Sequence, residues 1–169
     1  LITGCSSGIG LCIAMGLKEK GYRVFASART IDDVKNLQNL GFESLLLDLS
    51  SSESINAAVL KLYEMTDNIY ALINNGAYGQ AGALEDISRD ALDKQFQSNV
   101  FGGHALTKLV LTKMRYSAER RIIYISSVLG LVAMPFRGPY VASKFCLLYT
   151  SDAADDSLRV DLGGRRIMK

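Results

Sequence analysis

The chain has 169 residues, of which 49% are hydrophobic and 21% charged, enough for one domain with a core of its own. Lys and Arg number 19 against 17 Asp and Glu, a net charge of +2 with no basic block, so the sequence offers no nucleic-acid surface. No apolar run approaches a membrane-spanning length and no signal peptide is seen before the first strand. No membrane partner and a cytoplasmic location are therefore expected, with any targeting segment upstream of Leu1 left open.

Residues Leu1-Ile2 form the stump of a buried strand, followed by a glycine-rich loop and a helix over 9–20 that stops at Gly21. A second strand over 22–28 and a short helix over 31–39 lead to Gly41 and a third strand over 44–48. Ser50, Ser51 and Ser52 offer N-caps for a helix over 53–66. The apolar run 70–74 reads as a strand buried on both faces. A long helix over 88–115, a strand over 121–126 and a helix starting near Pro139 complete the pattern. Strand and helix alternate throughout, which predicts right-handed crossovers and a parallel sheet with helices on both faces. The expected fold is a single α/β domain over 1–145, a Rossmann-type doubly wound parallel sheet in three α/β/α layers. The chain opens on Leu1 rather than Met, and the domain is expected to be truncated at both ends.

From Cys146 the character of the sequence changes. Where a Leu-rich helix is expected, Cys146-Leu147-Leu148-Tyr149-Thr150-Ser151-Asp152-Ala153-Ala154-Asp155 resembles a translated sequencing adapter. Val160-Asp161-Leu162-Gly163-Gly164-Arg165-Arg166-Ile167 resembles the next adapter segment in the same frame. Residues 146–169 are therefore expected to be a non-native tail. The cysteines, Cys5, Cys12 and Cys146, are odd in number and lack metal-ligand spacing, so they read as small apolar fillers with no metal site.

The chemistry begins at Gly4-x-x-x-Gly8-x-Gly10, placed between a strand and a helix. Glycines let the backbone approach a pyrophosphate, and the helix N-terminus adds N–H groups and the positive end of a dipole. Gly4, Ser6, Ser7, Gly8, Ile9 and Gly10 are the candidate phosphate loop, with hydroxyl donors on the two serines. The second strand ends Ser27-Ala28-Arg29 with no carboxylate for a ribose 2′-hydroxyl. A carboxylate would repel a 2′-phosphate, whereas Arg29 can bond one, so the expected cofactor is NADP(H) rather than NAD(H). Tyr140 and Lys144 are one helical turn apart and share a face. An ammonium close to a phenol favours its ionised form, which suits a group that gives a proton to a carbonyl and takes one from an alcohol.

Together these residues resemble the short-chain dehydrogenase/reductase family, over essentially all of residues 1–145. Thr3-Gly4-x-x-x-Gly8-x-Gly10 matches the family's cofactor loop and Tyr140-x-x-x-Lys144 its catalytic signature. Ser127 and Asn99 stand where that family places its catalytic serine and asparagine. The resemblance implies that Tyr140 is the general acid/base and that Lys144 holds the nicotinamide ribose. It further implies that Ser127 orients the substrate oxygen, Asn99 supports a water-linked proton relay, and Asp48 and Leu49 border the adenine. Asn75 and Gly76 belong to the implied cofactor site. One departure is visible: the family's Asn-Asn-Ala-Gly reads Asn74-Asn75-Gly76-Ala77 here, and slightly altered backbone geometry is expected.

His104 reads as an interface or satisfied helix residue rather than a catalyst. Met134-Pro135-Phe136 could line a substrate pocket or simply pack a loop. The expected function is reversible hydride transfer between NADP(H) and a small carbonyl or alcohol substrate, in a parent homodimer or homotetramer. The alternatives are a non-catalytic NADPH sensor or scaffold, or an inactive fragment.

Overall fold

The computed structural model describes residues 1–114 and 119–155, with side chains as far as Tyr149 in the last helix. Strands β1 (Phe25–Ala28) and β2 (Glu43–Leu46) pair in parallel, as do β3 (Ala71–Asn74) and β4 (Arg121–Tyr124). The first residues of the chain join the two pairs into one sheet. Ile2 bridges Ala26 on one side and Ile73 on the other. The bonds are Ile2 N to Phe25 O (2.9 Å), Ser27 N to Ile2 O (3.0 Å), Thr3 N to Ile73 O (3.0 Å) and Ile73 N to Leu1 O (2.8 Å). The order is therefore β2, β1, residues 1–3, β3, β4, all parallel. The chain runs outward in one direction to β2 and in the other to β4, so the crossover crevice lies at the carboxyl end of residues 1–3.

The layers follow from alternation along the strands. Leu1, Phe25, Leu45 and Leu72 face Ile55, Leu62, Leu106 and Val110 in one core cluster, contributed by α3 (Ser52–Met65) and α5 (Gly102–Met114). Ile2, Ala26, Ala28 and Ile73 face Ala14 and Leu37 in the other, contributed by α1 (Gly8–Glu19) and α2 (Ile31–Asn39). The expected three-layer α/β/α doubly wound sheet is present. Among the described residues no helix is long and apolar enough to cross a membrane.

Two expectations need correction. The strand expected over 22–28 begins only at Phe25, because Tyr22 belongs to the turn that closes α1, its N–H bonding Leu17 O (3.1 Å). The long helix expected over 88–115 is interrupted: α4 (Arg89–Phe96) runs into a π-turn (Gln97–Phe101) before α5 begins, and Arg115 lies outside the described residues. The wider turn accompanies a close approach, since a Cβ on Gly102 would collide with the carbonyl of Leu49. A one-residue insertion of this kind leaves the apolar periodicity almost unchanged, so the pattern cannot reveal it. The last helix, α6 (Gly138–Asp155), carries Tyr140 and continues through residues 146–155, with Leu147 buried. The second adapter-like stretch, Val160 to Ile167, lies outside the described residues.

Candidate active site

The loop between residues 1–3 and α1 is tied to the loop after β3. Thr3 is buried, and its hydroxyl oxygen accepts from Asn75 N (2.9 Å) and Gly76 N (2.8 Å). Asn75 Nδ2 donates in return to Thr3 O (2.9 Å) and Gly4 O (3.1 Å). The fit leaves no room for side chains: a Cβ on Gly10 would collide with Gly4 O and Asn75 Nδ2, and one on Gly4, at φ 68°, would come within 2.7 Å of Gly76 Cα. The order Gly76-Ala77 then makes local sense. A Cβ at Gly76 would stand 3.0 Å from Leu49 Cδ1 and 3.2 Å from Thr3 Oγ1, whereas Ala77 is exposed.

The N-terminus of α1 differs from those of its neighbours. Thr30, Ser51 and Ser88 cap α2, α3 and α4 with their side chains, and each of those helices has an acid in its first turn. Ser7 makes no side-chain cap on α1, whose first turn holds no acid. The N–H groups and positive dipole end of α1 are thus left for an external anion.

A cavity of about 440 Å³ opens over this helix end. Gly4, Ser6, Ser7, Ile9 and Gly10 line it, while Gly8, exposed at φ 59°, lies just outside the lining. Arg29, Asp48, Leu49, Asn75, Gly76, Tyr140 and Lys144 line it as well. Asp33 joins Arg29 on its wall, a residue the strand-end motif did not suggest. Its carboxylate accepts from the Thr30 hydroxyl (2.7 Å), and the Thr30-x-x-Asp33 cap spacing is the signal that marks it.

Lys144 is buried, and its Nζ donates to Ile125 O (2.9 Å) while standing 5.7 Å from the centroid of the Tyr140 ring. Burial holds this ammonium below the usual lysine range. Tyr140 also lines a second cavity of about 460 Å³, together with Tyr78, Leu129, Met134 and Arg137. Of the Met134-Pro135-Phe136 stretch, only Met134 reaches it.

Asn99 and Ser127 flank these cavities rather than line them. Asn99 is buried; its Oδ1 accepts from Tyr78 N (3.1 Å), and its Nδ2 donates to Tyr78 O (2.9 Å) and Ser143 Oγ (3.1 Å). Ser127 is half-buried and caps a short 3-10 turn (Val128–Gly130), its oxygen accepting from Leu129 N (3.2 Å). One turn before Asn99, the fully buried Gln95 accepts from Gln80 N (2.6 Å) and donates to Tyr78 O (2.8 Å). The two amides clamp the loop that carries Tyr78. Their four-residue spacing on a buried helix face is the only sequence sign of the pair. His104 is exposed on α5, away from both cavities. Among the described residues no cluster of His, Cys, Asp or Glu could hold a metal ion.

The sequence model of the short chain dehydrogenase family matches residues 1–161. The chain belongs to that family. It is similar to the uncharacterized oxidoreductase YbbO of Escherichia coli strain K12, at 45% identity over 96% of this chain and 59% of that protein. Among solved structures it resembles a short-chain dehydrogenase from Streptomyces avermitilis, with TM-score 0.86 and 28% identity over 92% of this chain and 58% of that one. It also resembles the F189W actinorhodin polyketide ketoreductase with NADPH, with TM-score 0.84 and 30% identity over 91% and 62%. The chain thus spans about three fifths of the length of these relatives.

As a short-chain dehydrogenase it is an oxidoreductase homologue on a Rossmann-type nucleotide-binding fold, and the family implies a nicotinamide dinucleotide. The residues present fit that group. Gly4 and Gly10 have no space for a Cβ, and the α1 N-terminus is free of its own cap and acids. On the same cavity wall, the buried Ser126 hydroxyl has no protein partner.

Proposed function

We propose that this domain is the cofactor-binding and catalytic part of an NADP(H)-dependent oxidoreductase that interconverts a carbonyl compound and its alcohol. The observation that carries the reading is the position of Tyr140, which borders both the glycine-lined cavity and the more apolar one. A nicotinamide cofactor bound in the first cavity supplies or accepts the hydride. Tyr140 gives its phenolic proton to the carbonyl oxygen during reduction and takes one from the alcohol during oxidation. Lys144, fixed on Ile125 O, keeps a cation beside the Tyr140 ring and supports the cofactor ribose. Ser127 orients the substrate oxygen and Asn99 supports a water-linked proton relay.

Arg29 favours NADP(H). It forms no ion pair among the described residues and can meet a 2′-phosphate, while its neighbour Asp33 is engaged by Thr30. Asp48 and Leu49 border the adenine. The parent protein is read as a cytoplasmic homodimer or homotetramer joined through the α4–α5 and α6 surfaces, where Leu92, Phe101 and Phe145 are exposed. Native sequence is read as ending near Phe145; source DNA that encodes Cys146 onward would overturn that boundary.

The test is NADPH consumption by the completed protein against a panel of ketones and aldehydes. Tyr140→Phe should lower kcat by about 10²–10⁴-fold with NADPH still bound; equal turnover would end the acid/base assignment. Arg29→Asp should move the NADPH/NADH preference by about tenfold or more toward NADH. An unchanged ratio would mean that Arg29 does not meet the phosphate.

A further inference from the structure

The cavity on the far side of Tyr140 is chemically one-sided. Leu129, Met134 and the rings of Tyr78 and Tyr140 line it, and the Tyr140 ring stands over Gly79, where a Cβ would lie 3.4 Å from it. Among the described residues Arg137 is the only charged one that lines the cavity, and no carboxylate does. Among the described exposed arginines, Arg23 makes a forked pair with Glu43 (2.6 and 2.7 Å) and Arg89 meets Asp93, whereas Arg29, on the cofactor cavity, has no acidic partner. Arg137 has no acidic partner among the described residues.

The backbone holds Arg137 at this spot. Its carbonyl accepts from Val141 N (2.8 Å) in the first turn of α6. The preceding Phe136 sits at φ 60°, a left-handed conformation that bulky residues rarely adopt, and its carbonyl accepts from Gly82 N (3.0 Å). The loop after β4 thus makes a sharp turn, tied to the loop after β3, immediately before Arg137. Such strain needs support from its surroundings, and it falls beside the candidate substrate cavity rather than at a remote turn.

We propose that Arg137 is an anion anchor, and that the substrate is a carbonyl compound with an apolar body and a carboxylate remote from the reacting carbon. The guanidinium takes both carboxylate oxygens in its planar fork. Leu129 and Met134 pack the apolar body, and the carbonyl oxygen lies at Tyr140. This rests on the reading of Tyr140 as the acid/base. Arg137 lines the substrate cavity and not the cofactor cavity, so the anchor is separate from phosphate recognition.

The test compares 4-oxo-4-phenylbutanoate with its methyl ester, which share a ketone and a ring and differ by one charge. Each is titrated by calorimetry into the completed protein loaded with NADP⁺, so that binding is read without reduction. The acid should bind about tenfold more tightly than the ester. Arg137→Gln should erase that ratio and Arg137→Glu should invert it. An acid that binds no better than the ester, or a ratio that survives Arg137→Gln, would overturn the anchor. Reduction of both compounds with NADPH is then measured in Tyr140→Phe. Full turnover in that variant, with the binding ratio still governed by position 137, would sink the acid/base reading and leave the anchor standing.

Discussion

The two cavities that meet at Tyr140 are walled by different parts of the chain. Backbone builds the first: Gly4 and Gly10 pack without room for a Cβ, Gly76 is tight, and Thr3 and Asn75 stitch the two loops together. Side chains build the second: Tyr78, Leu129, Met134 and Arg137 stand on loops, with Leu131, Val132 and Phe136 exposed nearby. A wall made of backbone restricts which residues can occupy it, so its chemistry is written as a spaced motif. A wall made of side chains can be rebuilt from many residues, so it carries specificity but leaves no motif.

The largest effect should come from breaking the backbone wall. Gly10→Ala forces a Cβ against Gly4 O and Asn75 Nδ2, neither of which can retreat without unfastening the loop from β3. The expected loss is about 3 kcal/mol or more of unfolding free energy, read from the urea midpoint, together with NADPH affinity. Gly8→Ala meets open space and only the cost of φ 59°, so it should lose about 1 kcal/mol. Equal midpoints for the two variants would mean that the loop does not pack as described.

The same contrast explains what the sequence made legible. The sheet, the three layers, the glycine-rich loop and the one-turn spacing of Tyr140 and Lys144 all follow from spacings that backbone geometry enforces, and the family match bears out the resemblance. The π-turn at Gln97–Phe101 left no mark, because one inserted residue hardly shifts an apolar stripe. Asp33 was hidden by its role as a helix first-turn acid, a common and usually structural use. Gln95 was hidden because a glutamine in an amphipathic helix ordinarily faces water, whereas this one is fully buried against Gln80 and Tyr78.

Gln95 therefore offers a smaller perturbation confined to the second wall. Gln95→Leu removes the acceptor for Gln80 N and one of the two donors to Tyr78 O, leaving a backbone N–H short of its partner. The expected cost is about 1–3 kcal/mol of stability. If the Tyr78 loop, which lines the second cavity, positions substrate, kcat should also fall by roughly tenfold while NADPH affinity is retained. Gln95→Glu keeps the acceptor for Gln80 and should recover part of the loss. A variant that loses cofactor affinity as steeply as kcat would show that the two walls are not separable in this way.

The smallest effect tests the cofactor side through its thiols. Cys5 is fully buried, with its Sγ donating to Ile2 O (3.4 Å), and burial pushes its thiol up to about 11 from 9.0. Cys12 is exposed on α1, so an alkylating reagent at pH 8 should label it promptly, whereas Cys5 should react only as the loop opens. Between pH 9.0 and about 11 the unfolded chain releases the Cys5 proton while the folded chain keeps it, so this residue makes stability fall as pH rises. Over that window the fall is of order 2 kcal/mol. Lys144 acts with the opposite sign: burial lowers its proton affinity in the folded state, so its contribution rises with pH toward the unfolded lysine value. The Lys144 contribution runs up to the ordinary lysine value of 10.5, inside the Cys5 range, so wild-type stability alone would blend them. The difference between wild type and Cys5→Ala, followed by urea unfolding from pH 8 to 11, cancels the lysine and should leave a falling limb. A flat difference would mean that the Cys5 thiol is in contact with water and that the floor of the glycine loop is looser than its hydrogen bonds imply.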